Sequence, residues 1–193
     1  MLSNWRGWFA SAPESVEDEE FVFFDDMLSC VSAQFPVNKN CVSSAGVSDG
    51  ALWTSQLIGG RGKYLSSAIV LSGGVNNPDD ATDAAIKPYI PSTEHVMPAI
   101  VLWGGPNDKF IIDFEPATKA LEQHMQDEGH FIVECEHDCG HDEPPFDPPP
   151  GKSKFAAFWD FVNDHPTGRS PASRRTKKQA DYPIRSRRGV QSA

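Results

Sequence analysis

The chain has 193 residues, 39% of them hydrophobic and 23% charged, enough for one domain with a substantial core and ordinary for a globular protein. No stretch reaches the ~20 apolar residues of a membrane-spanning helix. The net charge of −10 is unevenly placed: residues 168–193 hold eight of the 17 basic side chains and one of the 27 acids, so an acidic body precedes a basic tail. That distribution argues against a nucleic-acid-binding domain, which carries its positive charge on a folded face.

In chain order, residues 1–15 read as an irregular N-terminal segment. Phe21, Phe24, Leu28, Val31 and Phe35 recur at helical spacing and predict a helix of about four turns ending before Pro36. Cys41 to Ala45 predicts a short strand. Gly46-Val47-Ser48-Asp49-Gly50 then turns into a second helix running towards Ile58, with Gly59-Gly60 as its stop. Ala68-Ile69-Val70-Leu71 is a bounded apolar run typical of a buried strand, and residues 75–95 read as loop with a short helix around 79–86.

Ala99-Ile100-Val101-Leu102-Trp103 predicts the next buried strand. Asp113 stands where a side-chain N-cap belongs, before a helix through Phe114, Ala117, Leu121 and Met125 that Gly129 ends. Phe131-Ile132-Val133 opens another strand, and the Pro-rich stretch 144–150 leads to a last helix carrying Phe155, Phe158, Trp159 and Val162. Trp53, Trp103 and Trp159 fall on buried elements and are expected in the core. The tail, 168–193, lacks periodicity and is expected to be disordered. Strands alternating with helices in this way predict an α/β fold with a mainly parallel sheet flanked by helices, whose ligands gather at the strand C-termini.

Three such ends carry Ser48, Asp108 and His141. A serine hydroxyl becomes a useful nucleophile when an imidazole takes its proton, and a carboxylate fixes and charges-balances that imidazole. The pentapeptide around Ser48 is G-x-S-x-G, a strained strand-to-helix turn in which the flanking glycines let the neighbouring backbone approach. The Asp49 N–H then faces developing negative charge at the helix N-terminus. Asp113 is a rival acid, and His137 and His130 are rival bases. Trp103 lies near the acid and is a weaker candidate for lining an acyl pocket.

Cys135, His137, Cys139 and His141 are all zinc-ligand types, but spaced along an extended strand they span about 20 Å, far beyond one tetrahedral shell. Cys135–Cys139 and Cys30–Cys41 are the disulfide candidates if the protein is exported, and all four remain thiols in a reducing compartment.

The run Phe24-Asp25-Asp26-Met27-Leu28, the helix end Gln34-Phe35-Pro36-Val37, the serine segment through Trp53 and Leu71-Ser72-Gly73-Gly74 resemble polyhydroxybutyrate-depolymerase/feruloyl-esterase-like hydrolases. Trp103 to Asp108 and Cys139-Gly140-His141 are similar to that family's acid and histidine segments, so the resemblance covers roughly residues 16–145. It implies an α/β-hydrolase fold over a domain at 16–167, and a Ser48-Asp108-His141 triad cleaving small-molecule or polymeric carboxylic esters. It further implies no metal or cofactor, and export from the cell. Met1 to Trp8 shows no signal peptide, so the chain as written is expected in the cytoplasm. Such hydrolases also carry earlier strands and a His-Gly loop that gives a second oxyanion donor. About 15 residues precede the matched region here, so an N-terminally truncated hydrolase is expected, with an inactive remnant or interaction module as the alternative. Oligomeric state and the particular ester are left open.

Overall fold

The computed structural model describes residues 7–77, 84–91, 95–143 and 147–167. The basic tail, most of the short helix expected around 79–86, and part of the Pro-rich stretch lie outside the described residues. Four parallel strands, β1 (Ser43–Val47), β2 (Ser67–Leu71), β3 (Pro98–Trp103) and β4 (Phe131–Glu136), stand in the order β1-β2-β3-β4. Among the described residues four α-helices accompany them: α1 (Glu14–Gln34), α2 (Asp49–Gly60), α3 (Phe114–Asp127) and α4 (Ala156–Asp164). Because the strands are parallel, all four C-terminal ends share one edge of the sheet.

Alternation along the central strands sorts the helices onto the two faces. Ala68, Val70, Ala99 and Val101 point to one face and pack with α2, α3 and Phe21 of α1. Ile69, Leu71, Ile100 and Leu102 point to the other face, where Phe161 of α4 closes a smaller cluster with Phe158, Val162, Val133 and Cys135 at its margin. Trp8 is buried against the first face, and a backbone bridge between Phe9 and Ile86 holds its segment in place.

Several expectations are corrected. Helix α1 begins seven residues before Phe21, in an acidic stretch whose charges hide its first two turns, and its later apolar positions Val31 and Phe35 are exposed. The first strand starts at Ser43 rather than Cys41, because the Asn38 side chain accepts from the Asn40 N–H and holds residues 39–41 in a 3-10 turn. Gly59 and Gly60 form the last two residues of α2, which runs through them before ending at Arg61. A Cβ at Gly59 would sit 1.9 Å from the Ile90 carbonyl oxygen, and one at Gly60 2.3 Å from the Phe21 ring. These glycines serve packing.

Asp113 stands at the N-cap of α3 but makes no side-chain cap bond. Its carboxylate pairs with Lys109 at 2.7 Å. On α4 the inward residue is Phe161, and Trp159 is 67% exposed instead of buried. All four cysteines are free thiols, so neither Cys30–Cys41 nor Cys135–Cys139 is joined. Among the described residues no helix is long and apolar enough to cross a membrane.

Candidate active site

The sharp turn between β1 and α2 presents Ser48. Its φ of 55° and ψ of −121° are far from ordinary L-residue conformations. Backbone bonds hold it there: its N–H donates to the Leu71 carbonyl at 3.0 Å, and its own carbonyl accepts from Ala51 and Leu52 to start the helix. A Cβ on Gly46 would lie 2.0 Å from the Gly50 carbonyl oxygen, so the turn closes only over a glycine. Gly50 itself has open space where a Cβ would stand, and the steric reason for glycine applies to the first of the pair alone. Asp49 is the first residue of α2, where the N–H has no carbonyl of the same helix to meet.

Asp108 follows the short 3-10 turn Gly105–Asn107 after β3 and is fully buried. Its Oδ2 accepts from the Ser72 hydroxyl at 2.7 Å and from the Gly104 N–H at 2.8 Å. Its Oδ1 lies 2.7 Å from His141 Nδ1. The histidine arrives on the loop after β4, which is tied to the acid's loop by the Gly140 N–H on the Gly104 carbonyl. A Cβ at Gly104 would come within 1.8 Å of the Gly140 carbonyl oxygen, and Gly140 itself has a φ of 71°. The two loops thus meet backbone to backbone. His141 Nε2 is 3.0 Å from Ser48 Oγ. A carboxylate only accepts, so Nδ1 carries the proton and Nε2 is left as an acceptor facing the serine hydroxyl.

The ring of Phe114 stacks on the imidazole at 4.6 Å between centroids and 9° between planes. Among the described residues, the two non-glycine positions with positive φ are Ser48 and Ser72, and both touch this chain of hydrogen bonds. Ser72 escapes sequence reading. Leu71-Ser72-Gly73-Gly74 looks like a strand end closed by glycines, and a serine that a turn explains draws no attention.

The rivals are otherwise placed or engaged. His130 precedes β4, at the opposite edge of the sheet, where Nδ1 accepts from the Met97 N–H and Nε2 faces Glu128. His137 accepts from the Cys139 N–H, and burial holds its pKa below the usual histidine range. Asp113 is engaged with Lys109. Trp103 is wholly inside the core, which leaves its indole no surface to offer a bound acyl group. Among the described residues, no three His, Cys, Asp or Glu side chains are grouped as a metal site. A separate cavity of about 280 Å³, lined by Asp25, Leu28, Ser29, Ser32, Lys39, Val42 and Tyr64, contains none of the serine, acid or histidine candidates.

Neither the protein-family models nor the curated proteins give a match to this sequence. Solved structures do. Native pOPH aligns with a TM-score of 0.62 at 21% identity, covering 79% of this chain and 53% of its own. A pOPH variant in complex with pNPB aligns at 0.67 and 19%, covering 87% and 63%. YahD with malic acid aligns at 0.54 and 18%, covering 75% and 65%.

The chain has an α/β-hydrolase-like fold. It spans roughly half to two thirds of the length of these solved structures. In open α/β sheets ligands bind at the strand C-termini, and the serine, acid and histidine all lie along that edge here.

Proposed function

We propose that this protein is a serine hydrolase of carboxylic esters, with Ser48 as nucleophile, His141 as general base and acid, and Asp108 as the residue that orients and charge-balances the imidazole. The observation that carries this reading is the unbroken hydrogen-bonded chain from Ser48 Oγ through His141 to buried Asp108, with the serine on a strained turn at a helix N-terminus. Ser48 Oγ attacks the ester carbonyl carbon as its proton passes to His141 Nε2. The tetrahedral oxyanion is met by the Asp49 N–H. The bond to the leaving oxygen then breaks, and His141 returns the proton to the departing alkoxide, leaving an acyl-serine. Water adds to that acyl carbon, gives a proton to Nε2, and expels Ser48, which recovers the proton.

Ser72 and the Gly104 N–H act through Asp108. With both donors on Oδ2, the carboxylate is held so that Oδ1 faces Nδ1. Within this reading, the sequence motifs favour an exported polyester depolymerase or feruloyl-type esterase. That pOPH variant and pNPB form a complex also supports trying p-nitrophenyl esters as substrates.

The test is saturable hydrolysis of short p-nitrophenyl esters. Turnover that falls at least 10³-fold in both Ser48→Ala and Asp108→Asn fits the proposal. Turnover retained in Ser48→Ala refutes it, and a cooperative thermal melt with no turnover at all favours an inactive interaction module.

A further inference from the structure

One large apolar side chain, Phe110, stands in water beside the histidine, and a second, Ile111, follows it on the same loop. Between Asp108 and α3 the chain makes a tight loop, closed by an antiparallel bridge between Lys109 and Asp113 and by the ion pair of their side chains. The Phe110 N–H donates to the Ile112 carbonyl at 3.2 Å within it. Ile112 turns into the core, while Phe110 and Ile111 turn outward and are 76% and 68% exposed. The Phe110 ring lies 13° from parallel to the His141 imidazole with centroids 5.8 Å apart. Single exposed apolar residues need no explanation. Two neighbours on a pinned loop, one of them stacked on the base, form a patch continuous with the site.

The chemistry decides which part of an ester meets this patch. His141 must deliver its proton to the departing alkoxide oxygen, so that oxygen comes within about 2.6–3.2 Å of Nε2. The group attached to it then extends along the surface that flanks the imidazole. The acyl carbon stays with Ser48 Oγ. Resting on the serine-hydrolase reading, the geometry points to Phe110 and Ile111 as the alcohol-side subsite, one that takes an apolar leaving group, alkyl or aryl. Neither side chain offers a hydrogen bond to replace the water lost by a polyhydroxylated alcohol.

Acetate esters with one acyl group and different alcohols test this: butyl and benzyl acetate against 2,3-dihydroxypropyl acetate. The readout is the ratio of kcat/KM between two substrates on one preparation, compared between wild type and the Phe110→Ser/Ile111→Ser variant. Intrinsic ester reactivity and any loss of active protein both cancel. The butyl-to-dihydroxypropyl ratio is expected to fall about tenfold in the polar variant and to stay within about twofold of wild type in Phe110→Leu/Ile111→Val.

A ratio unchanged by the polar variant, with hydrolysis still abolished in Ser48→Ala, overturns the subsite and leaves the serine-hydrolase reading standing. Absence of any Ser48-dependent hydrolysis overturns both. A wild-type dimer in sedimentation that the polar variant dissociates shows that a second copy covers the patch, and also overturns the assignment.

Discussion

Ser72 and Asp108 join the ends of β2 and β3 through a 2.7 Å hydrogen bond between two buried side chains. Ser72 makes it from a φ of 50°, a backbone state that costs a non-glycine residue on the order of 1–3 kcal/mol. Two substitutions separate the hydroxyl from the strain. Ser72→Gly relieves the backbone and removes the hydrogen bond, whereas Ser72→Ala removes the bond and keeps the strain. If the hydroxyl holds Asp108 in place, both lower kcat by about 10–100-fold with little change in KM, while the glycine variant melts no lower than the alanine one. Steady-state kinetics beside thermal melts check this, and a normal kcat in Ser72→Gly contradicts it.

Gly46 and Gly50 make a paired test of the turn. A methyl group at 46 collides with the Gly50 carbonyl, whereas one at 50 meets nothing within 4 Å. Gly46→Ala is therefore expected to lose activity by at least about 10²-fold and to melt lower. Gly50→Ala is expected to keep near-normal turnover and stability. Equal damage from both changes would show that the close approach is not what shapes the turn.

Glu122 gives the fold a predictable pH dependence. It lies buried on α3 with Oε1 lacking a hydrogen-bond partner, and burial first, then the charge of Glu134, push its pKa from 4.5 up to about 8 despite the opposing pull of Lys119. The unfolded chain releases this proton near its ordinary value, and the folded chain keeps it up to about pH 8. The folded state thus binds the extra proton across that interval, and its stability falls as pH rises through it, then levels off above. Glu122→Gln is expected to remove this component. Its melting temperature should exceed that of wild type by several degrees at pH 8.5 and by much less at pH 5. A difference of the same size at both pH values contradicts the assignment.

How much of this was legible in the sequence follows from what each residue does locally. Ser48, Asp108 and His141 stood out because each chemically apt side chain closely follows a strand-like run, and Gly46 marked a backbone that a side chain would obstruct. Ser72 stayed hidden because its partner is 36 residues away and its local context already reads as a turn. The same limit explains α4. Periodicity along Phe155, Phe158, Trp159 and Val162 defines an apolar stripe, but the sheet takes the neighbouring one through Phe158, Phe161 and Val162. Which side of a broadly apolar helix is buried is settled by the surface it meets. The packing role of the glycines ending α2 was hidden for a related reason, since Ile90 and the Phe21 ring, which make them necessary, come from distant segments.

The most direct measurement of the central claim is covalent labelling of the folded chain with a fluorophosphonate, followed by peptide mass spectrometry. The expected result is one modified residue, Ser48, with labelling lost in Ser48→Ala and slowed by orders of magnitude in His141→Ala. Label carried by any other residue, or a rate indifferent to the histidine, would contradict the assignment of a nucleophile activated across the 3.0 Å gap between Ser48 and His141.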